Sequence, residues 1–540
     1  MKSIITLLAA LRLIPLAAHC ADADTKTVRV FIFAGQSNME GADSKVKDIK
    51  RFPPFAGLDA PQDGVLFSYN IGREEKKTSN GWGAIQPVGT LVGPELSFAR
   101  RVSQETGSPV AIIKCAAGGT TLGGDWNPDE PSGFKLYPLA LELVRSSLAE
   151  LEKKKIPYRL EGFMWHQGEN DMFSKEFKPA YGANLKSFLA SWRRDLKAPG
   201  LKFYIGELCT KTIWGMDNRE PMYAIRAGQK AVTAADPLAE YIATSHVAVE
   251  IGGGEGLHYH YGTLGQLEHG ENYAAAYLRT IGKKPAERPL KVWPYAKGSA
   301  VKLFVLAGHR NMEGERAFRQ ELKGPLANDD ISIAFKYSLG GGFKNSNGWE
   351  PLGPAGPYDT FGPELSFGQT LRGKGNIAIA KFTHSGSQMN DWTPQGTSAK
   401  DRNLYPQFIA FIQESIAELQ AKGHAVELAG VFYHVGENDM SFWPYRKDAA
   451  KWLQSTVAKS REDLAMPALK WFVSQQPPTD HKDLNRVDVT AHFAALAAAD
   501  PAFIHLKAFA LPPQEEKLVI TTAGIVELGA VLARGYLGTK

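Results

Sequence analysis

The chain has 540 residues, a net charge of +5, and 44% hydrophobic and 22% charged residues. These proportions are typical of globular proteins, and the length predicts two to four domains. The small net charge and the lack of long Lys or Arg runs argue against a nucleic-acid partner. The three cysteines, Cys20, Cys115 and Cys209, are too few for a disulfide framework, and we expect the last two to be free and buried.

Residues 1–23 have the pattern of a secretory signal peptide. Lys2 precedes the apolar stretch Ile4–Ala18, and small residues follow it. This pattern predicts export to the periplasm or the extracellular space. A lipid anchor on Cys20 is disfavoured because the bulky His19 stands where a small residue is needed. No other stretch is long and apolar enough to predict a membrane span.

The stretch Arg29–Gly41 reads R-V-F-I-F-A-G-Q-S-N-M-E-G. Its apolar run Val30–Ala34 predicts a strand buried on both faces of a parallel sheet. Gly35 ends the run, and Ser37 follows at once. A serine in this place is suited to act as a nucleophile at the carboxyl edge of the sheet. The alternative is that Ser37 only caps the following helix.

The second half of the chain repeats the motifs of the first half in the same order, which indicates two homologous domains. We assign the domains to residues 25–285 and 298–540, with a linker rich in Pro and Lys at 286–297. The matched stretches are Val30–Gly41 with Leu303–Gly314, Asn80-Gly81-Trp82 with Asn347-Gly348-Trp349, Gly93–Phe98 with Gly362–Phe367, Leu136-Tyr137-Pro138 with Leu404-Tyr405-Pro406, Gly162–Met172 with Gly430–Met440, and Asp236-Pro237 with Asp500-Pro501.

Strand patterns alternate with helix patterns in each copy. In the first copy the predicted strands are Val28–Ala34, Val110–Cys115, Gly162–His166 and Lys202–Gly206, and the predicted helices include Pro94–Glu105, Leu136–Glu152 and Tyr181–Leu196. Such alternation implies right-handed crossovers and a parallel sheet that is covered on both faces. Each copy is therefore predicted to be a three-layer α/β/α sandwich with a central parallel sheet.

Loops at the carboxyl edge of such a sheet converge on one crevice. In the first copy these loops carry Ser37, the Gly118-Gly119 turn, Gln167 with Glu169, and a late histidine pair. Acyl transfer needs a nucleophile, a base and donors for an oxyanion, and these residue types can supply all three. The alternatives are an ordinary Gly-Gly turn, a loop hydrogen bond from Gln167, and surface or metal-binding histidines. The histidines lack a further ligand pair at zinc-site spacing, so we expect neither a metal nor an organic cofactor.

Three stretches of the first copy resemble the SGNH hydrolases. They are Gly35-Gln36-Ser37-Asn38-Met39, the Ala117-Gly118-Gly119-Thr120 turn with Trp126 beyond it, and Trp165-His166-Gln167-Gly168-Glu169. The branch that they resemble is the sialate O-acetylesterase and acetylxylan-esterase family of carbohydrate esterases. The resemblance implies a flavodoxin-like SGNH fold and an enzyme that removes O-acetyl groups from an acetylated oligo- or polysaccharide.

The resemblance also implies roles for particular residues. Ser37 would be the nucleophile, and Gln36, Asn38 and Glu169 would support the site. The oxyanion hole would be formed by the N–H of Ser37, the N–H of Gly118 or Gly119, and the Gln167 amide.

The late motif of the family, D-x-x-H, supplies an acid and a base, and here it departs from the pattern. Glu255-Gly256-Leu257-His258 has the right spacing, with Glu in place of Asp. That spacing favours His258 as the base and Glu255 as its partner, and we prefer this assignment. His260 is the rival, because Gly265 and Gly270 follow it at spacings also seen after the family's histidine.

The second copy keeps the scaffold of the first but has lost its chemistry. Arg310 stands in the place of Ser37, Ser385 in that of Gly118, Val435 in that of Gln167, and Val519 in that of the late histidine. An always-protonated guanidinium cannot be a nucleophile. We therefore expect an inactive domain that binds glycan, supports the first domain or packs against it.

Aromatic side chains near the motifs are candidates for stacking on a sugar ring, with the hydrophobic core as the alternative. They are Trp82, Trp126, Trp165 and Tyr69. The rival to the esterase hypothesis is a two-domain glycan-binding protein in which neither copy turns over substrate. The Ser, Gln and His of the first copy argue against this rival.

Overall fold

The computed structural model describes residues 26–210, 212–213, 216–244, 260–284, 287–397, 403–435, 439, 447–474, 489–506 and 520–539. The predicted signal peptide, Glu255 and His258 lie outside the described residues.

The first domain is built on one eight-stranded sheet. Its strands are β1 (Val28–Gly35), β2 (Gln62–Ile71), β3 (Lys77–Thr78), β4 (Gly83–Ile85), β5 (Val110–Ala116), β6 (Tyr158–His166), β7 (Phe203–Gly206) and β10 (Ala239–Ile242). The strands β10, β7, β6, β1, β5 and β2 lie side by side in that order, all parallel, and β3 and β4 join β2 antiparallel. Two short strands, β8 (Thr212–Ile213) and β9 (Met216–Asp217), form a separate antiparallel pair.

Helices cover both faces of this sheet. They are α1 (Ser37–Glu40), α2 (Glu95–Thr106), α3 (Leu136–Lys153), α4 (Phe177–Asp195), α5 (Arg219–Ala235) and α6 (Gly262–Thr280), with 3₁₀ turns at Val46–Arg51, Pro53–Phe55 and Asp171–Phe173. Apolar residues of α3, α4 and α5 pack on one face, and those of α2 and α6 on the other. This is the three-layer arrangement expected from the alternating pattern.

The stretch Val30–Ala34 of the central strand β1 is apolar without interruption because the sheet has a core on each face. Val30 and Ile32 point into the core on one face of the sheet, whereas Phe31 and Phe33 point into the core on the other. Successive side chains of a strand alternate between the two faces, so the stretch with cores on both sides, Val30–Ala34, is apolar at every position. All eight residues of β1 are buried.

The second domain repeats this plan with a second eight-stranded sheet. Its strands are β11 (Ala300–Gly308), β12 (Asp330–Leu339), β13 (Lys344–Asn345), β14 (Glu350–Leu352), β15 (Ile377–Thr383), β16 (Ala425–His434), β17 (Trp471–Ser474) and β18 (Phe503–Leu506). Its helices are α7 (Arg310–Glu313), α8 (Glu364–Leu371), α9 (Leu404–Ala421), α10 (Ala449–Asp463), α11 (Val489–Ala499) and α12 (Thr522–Leu537), with 3₁₀ turns at Arg319–Glu321, Gly324–Ala327, Pro357–Asp359 and Met389–Trp392. Among the helices of the described ranges, none combines the length and apolarity needed to cross a bilayer.

Strand β11 lies between β15 and β16, as β1 lies between β5 and β6. The two domains therefore share their topology as well as their motifs. Cys115 and Cys209 are both buried and unbonded, as the sequence predicts, and burial raises the pKa of the Cys115 thiol to about 12.

The two domains touch through aromatic side chains. The Phe55 and Tyr358 ring centroids lie 4.9 Å apart, and the Arg316 guanidinium lies 5.0 Å from the Phe52 ring centroid. Tyr358 OH also donates to the Glu268 carboxylate. The second domain is thus packed against the first, beside the chain segment that follows α1.

Residues 287–297, the described part of the predicted linker 286–297, pack on the second domain. Tyr295 belongs to the core of that domain, and Trp293 Nε1 donates to His424 Nε2 at 2.7 Å. The apolar rings in this segment gain by burial against the neighbouring helices and strands.

Candidate active site

Ser37 lies where the central strand of the first sheet ends. The Gln36 N–H donates to His166 O at 3.1 Å, which ties the end of β1 to the end of β6. Gly35 has φ +152°, and a Cβ there would lie 2.0 Å from His166 O, so only glycine fits between the strands. The chain then turns sharply into α1, which starts at Ser37 and leaves this residue 9% exposed.

The residues on either side of Ser37 hold the loop that follows β6. Asn38 Nδ2 donates to Glu169 Oε1 at 2.7 Å, and Gln36 Oε1 accepts the N–H of Gly168 at 3.3 Å. Burial alone would raise the pKa of Glu169, but His166, 3.6 Å from its carboxylate, and Asn38 outweigh burial and hold this pKa below its usual range. The three predicted supporting residues, Gln36, Asn38 and Glu169, therefore lie together around Ser37.

The Gly118-Gly119 turn lies against Ser37, as predicted from the order of the motifs. A Cβ on Gly118 would be 3.4 Å from Ser37 Cβ, and Gly119 has φ +73°. The Gly118 N–H, however, donates to Glu40 Oε2 at 2.8 Å. A carboxylate within the protein thus accepts the Gly118 N–H in this structure, and the oxyanion role of Gly118 or Gly119 stays a prediction.

Gln167 is fully buried, and its amide is also occupied. Its Nε2 donates to Thr120 O at 3.0 Å, to Gln36 Oε1 at 3.2 Å and to Asp171 Oδ2 at 2.5 Å. In this structure the Gln167 amide therefore does not point to an open position where an oxyanion could accept from it. The amide instead joins the loops that follow β1, β5 and β6.

Asp171 completes this connection and was not predicted from the sequence. Its carboxylate accepts the N–H groups of Leu122 at 2.9 Å and Gly123 at 3.1 Å, besides the Gln167 amide. Burial raises the pKa of Asp171 to about 6, although these donors oppose the rise. The loop after β5 is thus fixed to the loop after β6 by one buried carboxyl.

Of the two histidines predicted as a base, only His260 lies in the described residues. The next residue, Tyr261, donates its N–H to Asn38 Oδ1 at 3.2 Å. His260 Nδ1 lies 2.6 Å from Asp43 Oδ2. The segment that begins at His260 is therefore held by a hydrogen bond to Asn38, the residue that follows Ser37.

Comparison with known proteins identifies the family of the chain. The family model described as "Carbohydrate esterase, sialic acid-specific acetylesterase" matches residues 27–279 and again 300–538. The chain belongs to this carbohydrate esterase family. It is 29% identical over 193 residues to "Probable carbohydrate esterase At4g34215" from Arabidopsis thaliana, over 32% of this chain and 66% of that protein.

Two solved structures each match about half of the chain. The X-ray structure of the Arabidopsis thaliana protein AT4G34215 has a TM-score of 0.36 and 20% identity, and covers 47% of this chain and 98% of its own. The carbohydrate acetylesterase XAC1771 from Xanthomonas citri has a TM-score of 0.35 and 17% identity, and covers 48% of this chain and 59% of its own.

Of the two roles weighed for Trp82, Trp126 and Trp165, a sugar contact or a place in the core, the structure shows packing against the core. Trp126 and Trp165 are 0% exposed and pack on each other with ring centroids 5.2 Å apart. Trp82 is half-buried, and its Nε1 donates to Ser147 O at 2.9 Å. Ser147 lies about 16 Å along α3 from the N-terminal end of this helix, which is at the carboxyl edge of the sheet. Trp82 is therefore also a packing residue in this structure.

In the second domain, charged groups fill the position that Ser37 has in the first domain. Arg310 Nη1 donates to both oxygens of Glu315, at 2.7 and 2.9 Å, and both residues are buried. Val435, in the place of Gln167, is buried too. The Asp439 carboxylate still accepts the Met389 N–H at 2.9 Å, so the connection between loops survives where the polar groups of the first site are replaced.

A buried ion pair beside α1 in the first domain was not predicted from the sequence. Lys114 Nζ lies 2.7 Å from Glu95 Oε2 and 3.3 Å from Glu40 O at the end of α1. The second copy has the same pair, with Lys381 Nζ 2.8 Å from Glu364 Oε2. The signal was present in the repeated G-P-E-L-S-F motif, whose Glu is buried in both domains.

Proposed function

We propose that the protein is a carbohydrate O-acetylesterase that acts through an acetyl-enzyme on Ser37. The observation that carries this proposal is the position of Ser37 at the end of β1, where Asn38 connects it to Glu169 and to the segment of the late histidines. The candidate nucleophile is thereby held beside the segment that follows the candidate bases, and acyl transfer by a serine requires these two groups in one place.

In the proposed reaction, Ser37 Oγ attacks the acetyl carbonyl carbon while a histidine of the pair His258 and His260 takes the hydroxyl proton. The tetrahedral oxyanion then collapses, the bond to the sugar oxygen breaks, and that oxygen receives the proton from the histidine. Water, deprotonated by the same histidine, then attacks the acetyl-enzyme. The bond between the acetyl carbon and Ser37 Oγ breaks, acetate leaves, and the histidine returns the proton to Ser37 Oγ. The sugar leaves with a free hydroxyl group, so atoms and protons balance.

The proposed oxyanion donors are the N–H of Ser37, the Gly118-Gly119 turn and the Gln167 amide. Glu40 and Asp171 accept from Gly118 and Gln167 in the structure. Substrate must therefore exchange those hydrogen bonds before these two donors can act. Catalytic hydrogen bonds often form only when the substrate is bound.

We further propose that the second domain is inactive. The support is the Arg310–Glu315 pair in the place of the nucleophile and Val435 in the place of Gln167. The retained scaffold and the packing of the second domain against the first are consistent with a supporting role.

Ser37→Ala tests the proposed function, with the exposed Ser146→Ala as the matched control. A fluorophosphonate probe should label the wild type and the control at Ser37, and Ser37→Ala should lose both labelling and acetate release. A panel of acetylated glycans identifies the substrate. A wild-type protein that shows no burst with p-nitrophenyl acetate and releases no acetate, yet binds glycan, would support the non-catalytic alternative.

A further inference from the structure

One turn of the second domain reaches into the first domain. The turn Pro357–Asp359 lies between β14 and α8, and the ring of Tyr358 packs on the core of the first domain. The Phe55 and Tyr358 ring centroids lie 4.9 Å apart, and the Tyr358 hydroxyl donates to the Glu268 carboxylate. Phe55 lies on the segment that follows α1, and Glu268 lies on α6. A single side chain of the second domain therefore contacts two separate elements of the first.

This turn has an uncommon backbone conformation. Tyr358 and Asp359 have φ angles of +42° and +62°. They lie in the left-handed region that residues other than glycine seldom adopt, and bulky side chains least of all. Such positions persist only where the surrounding structure imposes them, and they are concentrated at functional sites.

The second domain itself imposes this conformation. The Gly356 N–H donates to Thr360 O at 2.8 Å, and the Thr360 N–H donates to Pro357 O at 3.1 Å, which closes the turn. Lys344 Nζ donates to Gly356 O at 2.8 Å. The turn is thus fixed within its own domain, and Tyr358 is presented to the first domain in a preset position.

The turn is longer than its counterpart in the first domain. Residues 86–92 connect β4 to the G-P-E-L-S-F motif of the first domain, whereas residues 353–361 connect β14 to the same motif of the second. The second connection is longer by two residues, and Tyr358 lies within it. The contact is therefore a feature of the copy in which Arg310 replaces Ser37, and not of the scaffold that the two copies share.

The helix that Tyr358 contacts leads to Ser37. Glu268 lies within the first two turns of α6. This helix begins directly after Tyr261, whose N–H donates to Asn38 Oδ1 at 3.2 Å. The contact with the second domain therefore lies close to the end of α6 that is held beside the candidate nucleophile.

The segment after α1 is attached to the same helix. Thr263 Oγ1, in the first turn of α6, accepts the Lys45 N–H at 2.7 Å. Further along this segment, the Arg316 guanidinium of the second domain lies 5.0 Å from the Phe52 ring centroid. The segment and the helix thus form one wall that begins at Ser37 and is covered by the second domain.

We propose that Tyr358 is a positioning residue of the esterase site, supplied by the second domain. Its ring holds the segment after α1 and its hydroxyl holds α6, so that the start of α6 stays aligned with Ser37. Acyl transfer is sensitive to displacements of about 1 Å between the reacting groups. This inference rests on the proposed function, and it gives the second domain a part in the reaction without turnover of its own.

Tyr358→Phe tests the proposal in the full chain, with Tyr405→Phe as the matched control. Tyr358→Phe keeps the ring against Phe55 and removes only the hydroxyl. Tyr405 also donates its hydroxyl to a carboxylate, that of Asp463, at 2.7 Å, but both of these residues lie in the second domain. Each variant therefore loses one hydrogen bond from a tyrosine to an acidic side chain, and only Tyr358→Phe loses it across the domain interface.

Tyr358→Phe should lower kcat by about 3- to 30-fold with little change in KM, because a misplacement of about 1 Å costs up to about 100-fold. Titration with the fluorophosphonate probe should still label every chain at Ser37, but at a reduced rate. Tyr405→Phe should match the wild type in both measurements. In a double variant of Tyr358→Phe and Glu268→Leu the losses should not add, because the two side chains act as a pair.

Two results would overturn the inference and leave the proposed function intact. One is a kcat of Tyr358→Phe equal to that of Tyr405→Phe, while Ser37→Ala is inactive. The other is a smaller fraction of labelled chains with an unchanged kcat per labelled chain, which would mean that Tyr358 only keeps the protein folded. If the wild type neither labels at Ser37 nor releases acetate, the proposed function itself fails, so the two failures are distinguished.

Discussion

Replacing Lys114 by Met should strongly destabilise the first domain. Lys114 and Glu95 are 1% and 3% exposed, with Nζ and Oε2 2.7 Å apart. The substitution leaves the Glu95 carboxylate buried without a counter-charge, which costs about 3–5 kcal/mol. In a domain of this size each kcal/mol lowers the melting temperature by about 2–4 °C, so the expected decrease is about 6–20 °C.

The second domain provides the matched control. Lys381→Met breaks the equivalent pair, which is 0% exposed on both sides, and should destabilise the second domain to a similar extent. Differential scanning calorimetry measures both variants, and acetate release below the melting transition measures function. Lys114→Met should also reduce activity, because Nζ bonds Glu40 O at the end of α1. Lys381→Met should leave the activity of the folded protein unchanged.

A double variant separates burial of an unpaired charge from loss of the pair itself. Lys114→Met combined with Glu95→Leu removes both charges, and such apolar replacements are often close to neutral. The double variant should therefore recover most of the stability that the single variant loses. A Lys114→Met melting temperature within about 2 °C of wild type, or a double variant worse than the single one, would refute this reasoning.

The remaining predictions concern the site, the second domain and export. Gln167→Ala should lower kcat by about 10²- to 10³-fold if its amide reaches the oxyanion, whereas an increase in KM alone would indicate a role in substrate binding. Because burial raises the pKa of Asp171 to about 6, its protonated form favours the folded state. This contribution, on the order of 3 kcal/mol, is complete below the unfolded pKa of about 4 and is lost as the pH rises through about 6. Asp171→Asn should therefore flatten the decrease in melting temperature between about pH 4 and 7, and a decrease equal to that of wild type would contradict this. Arg310→Ala should leave acetate release unchanged, and a measurable loss would show that the second site takes part. Cell fractionation should find the protein outside the cytoplasm with residues 1–23 removed, and an intact N-terminus in the cytoplasm would contradict export.

Much of the fold was predictable from the sequence. The apolar run of β1 predicted a strand buried on both faces, and all its residues are buried with cores above and below. The helix predicted at Leu136–Glu152 is observed at Leu136–Lys153. Both predictions depend on periodicity within a short stretch of chain, which the local sequence already contains.

The roles of single polar side chains in the site were less predictable. The motifs placed Gln167 and Gly118 beside Ser37, but their N–H groups donate to Asp171 and Glu40. A motif tells which residues meet, whereas the direction of an amide depends on every acceptor around it. Trp126 was predicted on a sugar and lies in the core for the same reason, since a Trp side chain suits either environment.

The sequence by itself determined that this chain has two copies of one parallel α/β domain and that Ser37 follows a buried strand. It also determined that Arg310 takes the place of Ser37 in the second copy. These facts follow from hydrophobic periodicity and from residue identity, which need no coordinates. Only the tertiary structure decided that His260 Nδ1 lies 2.6 Å from Asp43 Oδ2, although 217 residues separate them along the chain. The same holds for the hydrogen bond from Lys114 Nζ to Glu40 O at the end of α1. Such pairs form because parallel strands bring loops from distant parts of the chain to one edge of the sheet, and the contacts there depend on how those loops pack.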